Sequence, residues 1–440
     1  MAIAPIMHDL GGAAVNATPT IEEIRTTCAI AGGGPAGMML GFLLARAGVK
    51  VVVLEKHQDF LRDFRGDTIH PSTLELMHEL GLLQEFLKLP HRELRHVSAV
   101  IGTTSVRIGD FTHLPTQCRF IALMPQWDFL NFLVEQGARY PGFDLRMKTD
   151  VTELIEQDDR FVGMRAKTPT GELTITAALV VGADGRQSTV RERAGLVVED
   201  FGAPIDILWM RLSRLPGDGD ESLMRIGSRK ALVMLDRGDY WQCAFVIPKG
   251  ATEEVRQRGL EAFRADIAEL APLLKDRVTE LQSWADIKLL SVKVDRLREW
   301  YRPGLLCIGD AAHAMSPIGG VGVNLAIQDA VAAANRLVGP LRTGQVGIEA
   351  LAEVQRRRTF PTRATQRMQL FAQNNFLRRV LSSREAPTPP WPIRLINRFP
   401  LLQRIPGRVV GLGFRPEHIA TPDVGAAAGV KTPHGSSNSR

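Results

Sequence analysis

Two rhythms of apolar and polar positions run along this chain. Cys28–Ala31 is a short contiguous apolar run and Val49–Leu54 is another, broken only by Lys50, as in strands buried on both faces, and between them Pro35–Ala47 sets apolar and small residues on most faces of a helix. This predicts a βαβ unit. Similar apolar runs return at Ala178–Val181, before Asp184-Gly185, and at Leu305–Ile308, before Gly309-Asp310, a glycine-rich turn and an alanine-rich helix from about Gly322. In the middle of the chain "APIDILWMRLSRL" and "LMRIGSRKALVMLDRGDYWQCAFVIPKG" read as strands with a hairpin at Asp236–Asp239, and "EVRQRGLEAFRADIAELAPLL" as one amphipathic helix. Ser72 and Glu75 predict a capping box for a helix ending at Gly81.

The first βαβ unit carries the earliest candidate chemistry. Gly32, Gly34 and Gly37 make a G-x-G-x-x-G turn between strand and helix: Gly32 permits the tight turn, Gly34 lets backbone N–H groups approach a pyrophosphate, and Gly37 lets helix and sheet pack closely. The helix then presents its positive end to an anion. Glu55 closes the second strand where a carboxylate accepts ribose hydroxyls and repels a 2′-phosphate, which favours FAD or NAD over NADP as the bound nucleotide. Pro35, Ala36 and Lys56 complete this set of candidate nucleotide contacts.

Composition narrows the class without choosing the ligand. The chain has 440 residues, 45% hydrophobic and 23% charged, enough for two or three domains. Its formal charge of +6 is spread among acids with no basic stripe interleaved with aromatics, so nucleic-acid binding is not implied. Cys28, Cys118, Cys243 and Cys307 stand far apart with no C-x-x-C, which suggests neither a metal site nor a disulfide framework and fits a reducing cytoplasm. No run reaches the about 20 apolar residues of a membrane span. The first two dozen residues lack a signal-peptide pattern.

The segment from Gly304 to Leu337 separates FAD from NAD. FAD is the longer ligand and needs a second element for its ribityl chain and flavin. Asp310 can accept ribityl hydroxyls, and the helix that follows can turn its positive end toward negative charge on the flavin.

Taken together, Gly32 to Glu55, "LVVGADGRQSTVRERAGL" and "GDAAHAMSPIGGVGVNLAIQDA" resemble, in order and spacing, the motifs of the class A flavoprotein monooxygenases, the para-hydroxybenzoate hydroxylase family, over roughly residues 27 to 340. The resemblance implies an α/β fold: a Rossmann-like FAD-binding domain with an inserted antiparallel-sheet substrate domain and C-terminal helices. It implies FAD as cofactor, NAD(P)H as a transiently docked electron donor, and O₂ and a small organic molecule as substrates. The reaction it implies is hydroxylation or epoxidation of an electron-rich substrate through a flavin C4a-hydroperoxide. Asp184 would close the second motif near the pyrophosphate, supported by Ser188 and Arg191, and Arg65 would reach the pyrophosphate. Gln126 stands where many relatives carry an arginine. Pro317 would turn its carbonyl toward the substrate, and Gly320, Gly322, Val323 and Asn324 share its signature; His70 and His313 are the candidate catalytic histidines.

On this reading 1–24 is a flexible extension; 25–98, 120–200 and 286–380 form the FAD-binding domain; 99–119 and 201–285 the substrate domain; 381–418 a helical cover; and 419–440 a disordered tail. Met210, Met234 and Phe245, with Met224 and Trp241, are expected to line an apolar pocket. The substrate strands lack a paired Ser and Arg to grip a carboxylate, which favours a neutral phenol or polycyclic aromatic. "CAFVIP" lacks both tryptophans of the halogenase motif W-x-W-x-I-P. A non-oxygenating flavin reductase or dehydrogenase acting on a quinol or isoprenoid stays open, as does a binding protein with structural FAD. Finally, "WPIRLINRFPLLQRIPGRVVGLGFRP" is arginine-rich and free of acids; its prolines favour a folded-back cover over contact with a membrane surface.

Overall fold

The computed structural model describes residues 20–61, 68–219, 223–383, 385 and 387–427. Its first sheet has eight strands, with the path Tyr301–Arg302, Leu305–Cys307, Gly171–Gly182, Thr20–Ala31, Val51–Leu54 and Phe143–Arg146. The strands from Leu305–Cys307 to Phe143–Arg146 run parallel, and Arg160–Thr168 and Asp150–Gln157 extend Gly171–Gly182 as an antiparallel meander. Parallel strands buried on both faces need contiguous apolar runs. The helices Pro35–Arg46, Val321–Thr343 and Ile348–Ala372 pack in sequence, and the first is buried from Ala36 to Ala45. The first strand begins at Thr20, so the expected extension to residue 24 is already sheet at its end; residues 1–19 lie outside the described residues.

A second sheet of seven strands stands over the first, ordered Lys288–Leu290, Ile205–Ser213, Tyr240–Pro248, Lys230–Asp236, Leu223–Gly227, His96–Ile101 and Thr104–Asp110. All its pairings are antiparallel except Leu223–Gly227 with His96–Ile101. It takes Lys288–Leu290 from the stretch expected on the nucleotide side. One face carries Met210, Met234, Trp241 and Phe245 against Phe263, Ile267 and Leu270 of the helix Leu260–Leu270. The other carries Ile207, Ala244 and Val246, with Trp209, Met224 and Val233 partly buried, and meets Ile318, Leu377 and Val380.

Three local expectations change. The amphipathic stretch forms two helices, Thr252–Gln257 and Leu260–Leu270, because Gly259 at φ 90° breaks it. The capping box is absent: Pro71 occupies the first helical position, the cap residue is His70 with no side-chain cap bond, and Glu75 Oε2 instead accepts the Gln117 N–H at 3.0 Å. The expected disordered tail is packed at its start, where Glu79 accepts the Ile419 N–H at 2.7 Å and Asp423 pairs with Arg46 at 3.3 Å.

Candidate active site

Four adjacent parallel strands end level with one another, since Ala31 pairs with both Gly182 and Leu54, and Gly182 pairs with Cys307. Their carboxyl ends therefore deliver Gly32, Glu55, Asp184 and Asp310 to one edge of the sheet, where an open α/β sheet binds its ligand. The turns also touch. A Cβ on Gly32, at φ 104°, would overlap the Ala183 carbonyl; one on Gly309 would lie 3.0 Å from Ala36 Cβ; and Arg186 Nε donates to Asp310 Oδ2 at 3.0 Å.

The glycines divide the work. Gly37 has no room for a side chain because Gly32 O fills the place, whereas a Cβ on Gly34 would meet no atom within 4 Å. The helix Pro35–Arg46 starts at Gly34 with no side-chain cap and no acid in its first turn, so its N–H groups face an open cradle suited to a pyrophosphate. Glu55, buried, accepts the Gly33 N–H on Oε2 and the His57 N–H on Oε1, each at 3.0 Å, which fixes its carboxylate beside the Gly32–Gly34 turn. Lys56 is exposed beside it.

Asp184 serves its own loop. Ser188 Oγ donates to Asp184 Oδ1, the Val190 N–H donates to Oδ2 at 3.1 Å, and Ser188 caps Thr189–Arg193. Burial pushes the Asp184 carboxyl up against these bonds, which pull it down. Arg191 donates to the Arg186 carbonyl and pairs with Asp295 at 3.5 Å, which ties the loop from its far side. Asp310, on the turn Gly309–Ala311, keeps about a third of its side chain exposed.

The third segment builds the far end of the cleft. Gly319 and Gly320 adopt φ of 79° and 63°, reserved in practice for glycine, and the long helix opens at Val321 with neither side-chain cap nor first-turn acid. Gly322 and Val323 are half-exposed there. Asn324 is consumed internally: its Oδ1 accepts from the His70 N–H and Thr73 Oγ1, each at 2.8 Å, and its Nδ2 donates to Thr68 O at 3.0 Å. It clamps the helix to the Thr68–His70 segment and so positions the cradle without facing it. The Pro317 carbonyl accepts the Gly320 N–H at 3.0 Å, so the turn already uses one of its two acceptor sites.

Both candidate catalytic histidines are buried. His313 Nε2 lies 2.5 Å from Asp329 Oδ2, and Arg358 Nε donates to Oδ1 at 2.8 Å. Burial pushes Asp329 up, but His313 and Arg358 outweigh it and hold the carboxyl below its usual range. Asp329 also accepts the Gly309 N–H on Oδ2 at 3.1 Å, so this internal cluster ties the Gly309 turn and His313 to the long helix. His70 Nδ1 faces the Val410 carbonyl at 2.8 Å; a carbonyl only accepts, so Nδ1 carries the hydrogen. Burial, partly offset by that bond, pushes the His70 pKa down to about 4, so at neutral pH the ring is uncharged and its one N–H is spent on Val410. Arg65 lies outside the described residues. Gln126, half-exposed, opens the helix Gln126–Gly137 that packs along Pro35–Arg46.

The pocket expectation changes face. Cross-strand partners share a face, and Trp209, Ala244, Val233 and Met224 form one row across four strands, on the side that meets Ile318 beside Pro317. Met210, Met234 and Phe245 are one residue out of that phase and point into the helical core. Of the apolar candidates along these strands, Met224 is the one on the side that meets Ile318.

Two groups escape the sequence reading. Arg186 joins the second and third motifs, and a ladder of buried glutamines on the helix Ile348–Ala372 and its extension grips the loop carrying Pro317. Gln366 Nε2 donates to Ala314 O at 3.1 Å, Gln369 Nε2 to Ser316 O at 2.8 Å and Ile318 O at 2.9 Å, and Gln373 Nε2 to Ser316 Oγ at 2.5 Å. Their spacing at i, i+3 and i+7 on one helical face is the available signal.

The family model described as FAD binding domain matches residues 25–368. The chain is 32% identical over 356 residues to the 6-methylpretetramide 4-monooxygenase of Streptomyces rimosus, covering 80% of this chain and 84% of that protein. It is 27% identical over 332 residues to the para-nitrophenol 4-monooxygenase of Pseudomonas sp. strain WBC-3, covering 72% and 78%. A crystal structure of a probable FAD-dependent monooxygenase from Pseudomonas aeruginosa superposes with a TM-score of 0.69 at 22% identity, over 81% of this chain and 97% of that one, which bears on the fold. Open cradle, facing helix ends and relatives agree, and the chain belongs to the FAD-binding family of class A flavoprotein monooxygenases.

Proposed function

We propose that this enzyme is an NAD(P)H- and O₂-dependent monooxygenase that hydroxylates a neutral phenol or polycyclic aromatic. The observation that carries the substrate class is the apolar row Trp209, Ala244, Val233 and Met224 opposite Ile318, a face suited to a broad, flat, uncharged ring system. The relative named for 6-methylpretetramide, at 32% identity, supports the polycyclic form of this reading.

Bound FAD, reduced by NAD(P)H, supplies the oxygen-activating chemistry. The chain's residues bind, orient and shield. The uncapped N-terminus of Pro35–Arg46 would hold the pyrophosphate, Glu55 the ribose, and Asp310, oriented by Arg186, the ribityl hydroxyls. The N-terminus of Val321–Thr343 would turn its positive end toward the flavin and favour its reduced form. Gln369 and Gln373 fix the loop at Pro317, and the apolar sheet face would keep water from the reacting ring.

The test is anaerobic reduction of the bound flavin by NADH and by NADPH, with a panel of phenols and polycyclic aromatics. A true substrate should accelerate bleaching of the flavin absorbance. A rate that no ring compound changes, with quinols oxidised instead, would favour the non-oxygenating reading.

A further inference from the structure

The carboxyl-terminal segment does more than cover the substrate sheet. Trp391–Arg398, Pro400–Gln403 and Arg404–Leu412 pack on the strand Thr104–Asp110, and the inward side of that contact is made by Ile393, Gln403, Gly407 and Gly411. Five of its large apolar side chains point outward: Trp391 is 69% exposed, Leu395 43%, Phe399 51%, Leu401 68% and Ile405 62%. Among the described residues, no other stretch of this length concentrates so many exposed large apolar side chains.

The charges of the segment itself have one sign. Arg394, Arg398, Arg404 and Arg408 are exposed beside these tips, and no acidic residue occurs from Pro387 to Pro416. On the helix Trp391–Arg398 the pair Trp391 and Leu395 and the pair Arg394 and Arg398 each stand four apart, so an apolar stripe runs beside a cationic one. We infer that this face docks on the surface of an anionic lipid bilayer, with the apolar tips at the headgroup–acyl boundary and the guanidinium groups on lipid phosphates. Prolines at 392, 400 and 406 keep the segment in short pieces that lie flat, and no described helix is long and apolar enough to cross a membrane. A second copy of the chain is a poor occupant, because it would bring the same acid-free set of arginines against itself.

Flotation of the FAD-loaded full chain tests this, using phosphatidylcholine vesicles with and without phosphatidylglycerol at low and high salt, and light scattering without vesicles. The wild type should float only with the anionic vesicles and less at high salt. Both Arg394→Gln/Arg398→Gln/Arg404→Gln and Trp391→Ser/Leu401→Ser should lose flotation while keeping bound flavin. Three results would overturn the proposal: wild type that stays at the bottom, arginine-free protein that floats as well as wild type, or a wild-type dimer that the Trp391→Ser/Leu401→Ser variant abolishes.

Discussion

Gly34 separates ligand binding from folding within one motif. Its missing side chain would project into open space, whereas those of Gly32 and Gly37 would run into backbone. Gly34→Val should therefore fold with a near-normal melting temperature and retain little FAD, while Gly37→Val should fail to accumulate as folded protein. Normal flavin content in folded Gly34→Val protein would contradict this division. His70 offers a second residue-level test. Its ordinary pKa of 6.5 is pushed down to about 4 by burial, so the folded state binds fewer protons than the unfolded chain between those values. That stabilisation is fully present above pH 6.5 and is lost as pH falls toward 4, a loss of about 3 kcal/mol. His70→Asn keeps a donor for Val410 but does not titrate; its denaturation free energy should fall less over that range, and parallel curves would disprove the assignment. The glycines and Glu55 were legible because their spacing within one βαβ unit carries the information. Arg186 and Gln369 were not, since their partners lie 124 and 53 residues away in sequence and only folding brings them together.

Elements were easier to place than their faces. The strands around Trp209, Met234 and Phe245 read clearly, but both faces of this sheet are apolar, one against Leu260–Leu270 and one against the Pro317 loop. Alternation in such a strand defines two faces without saying which neighbour each will meet. Trp209 and Met210 then make a direct comparison on adjacent positions. Trp209→Ala should raise KM for the aromatic substrate with a small effect on stability. Met210→Ala, a truncation in a packed core, should cost about 2–5 kcal/mol and leave KM unchanged in the protein that remains folded. Equal effects of the two on KM would contradict the face assignment. The helix break at Gly259 and the missing capping box have local causes too: a positive φ in one case, and in the other a proline that moves the helix start one residue forward of Ser72.

At the scale of the molecule, segments more than a hundred residues apart converge on one edge of a parallel sheet, and a second sheet closes over them. Register delivers this, because strands paired at Ala31, Gly182, Leu54 and Cys307 must end together. The order of motifs in the sequence announced the nucleotide side, while the build of the second sheet depended on pairings such as Leu223–Gly227 beside His96–Ile101 that no local pattern specifies. The central claim is that this assembly inserts one atom of O₂ into an aromatic ring. Turnover under ¹⁸O₂ with NAD(P)H and the substrate found by flavin reduction, followed by mass spectrometry of the product, tests it most directly. The account predicts one labelled oxygen per hydroxylated product; an oxidised product that carries no label, with O₂ recovered only as hydrogen peroxide, would contradict it.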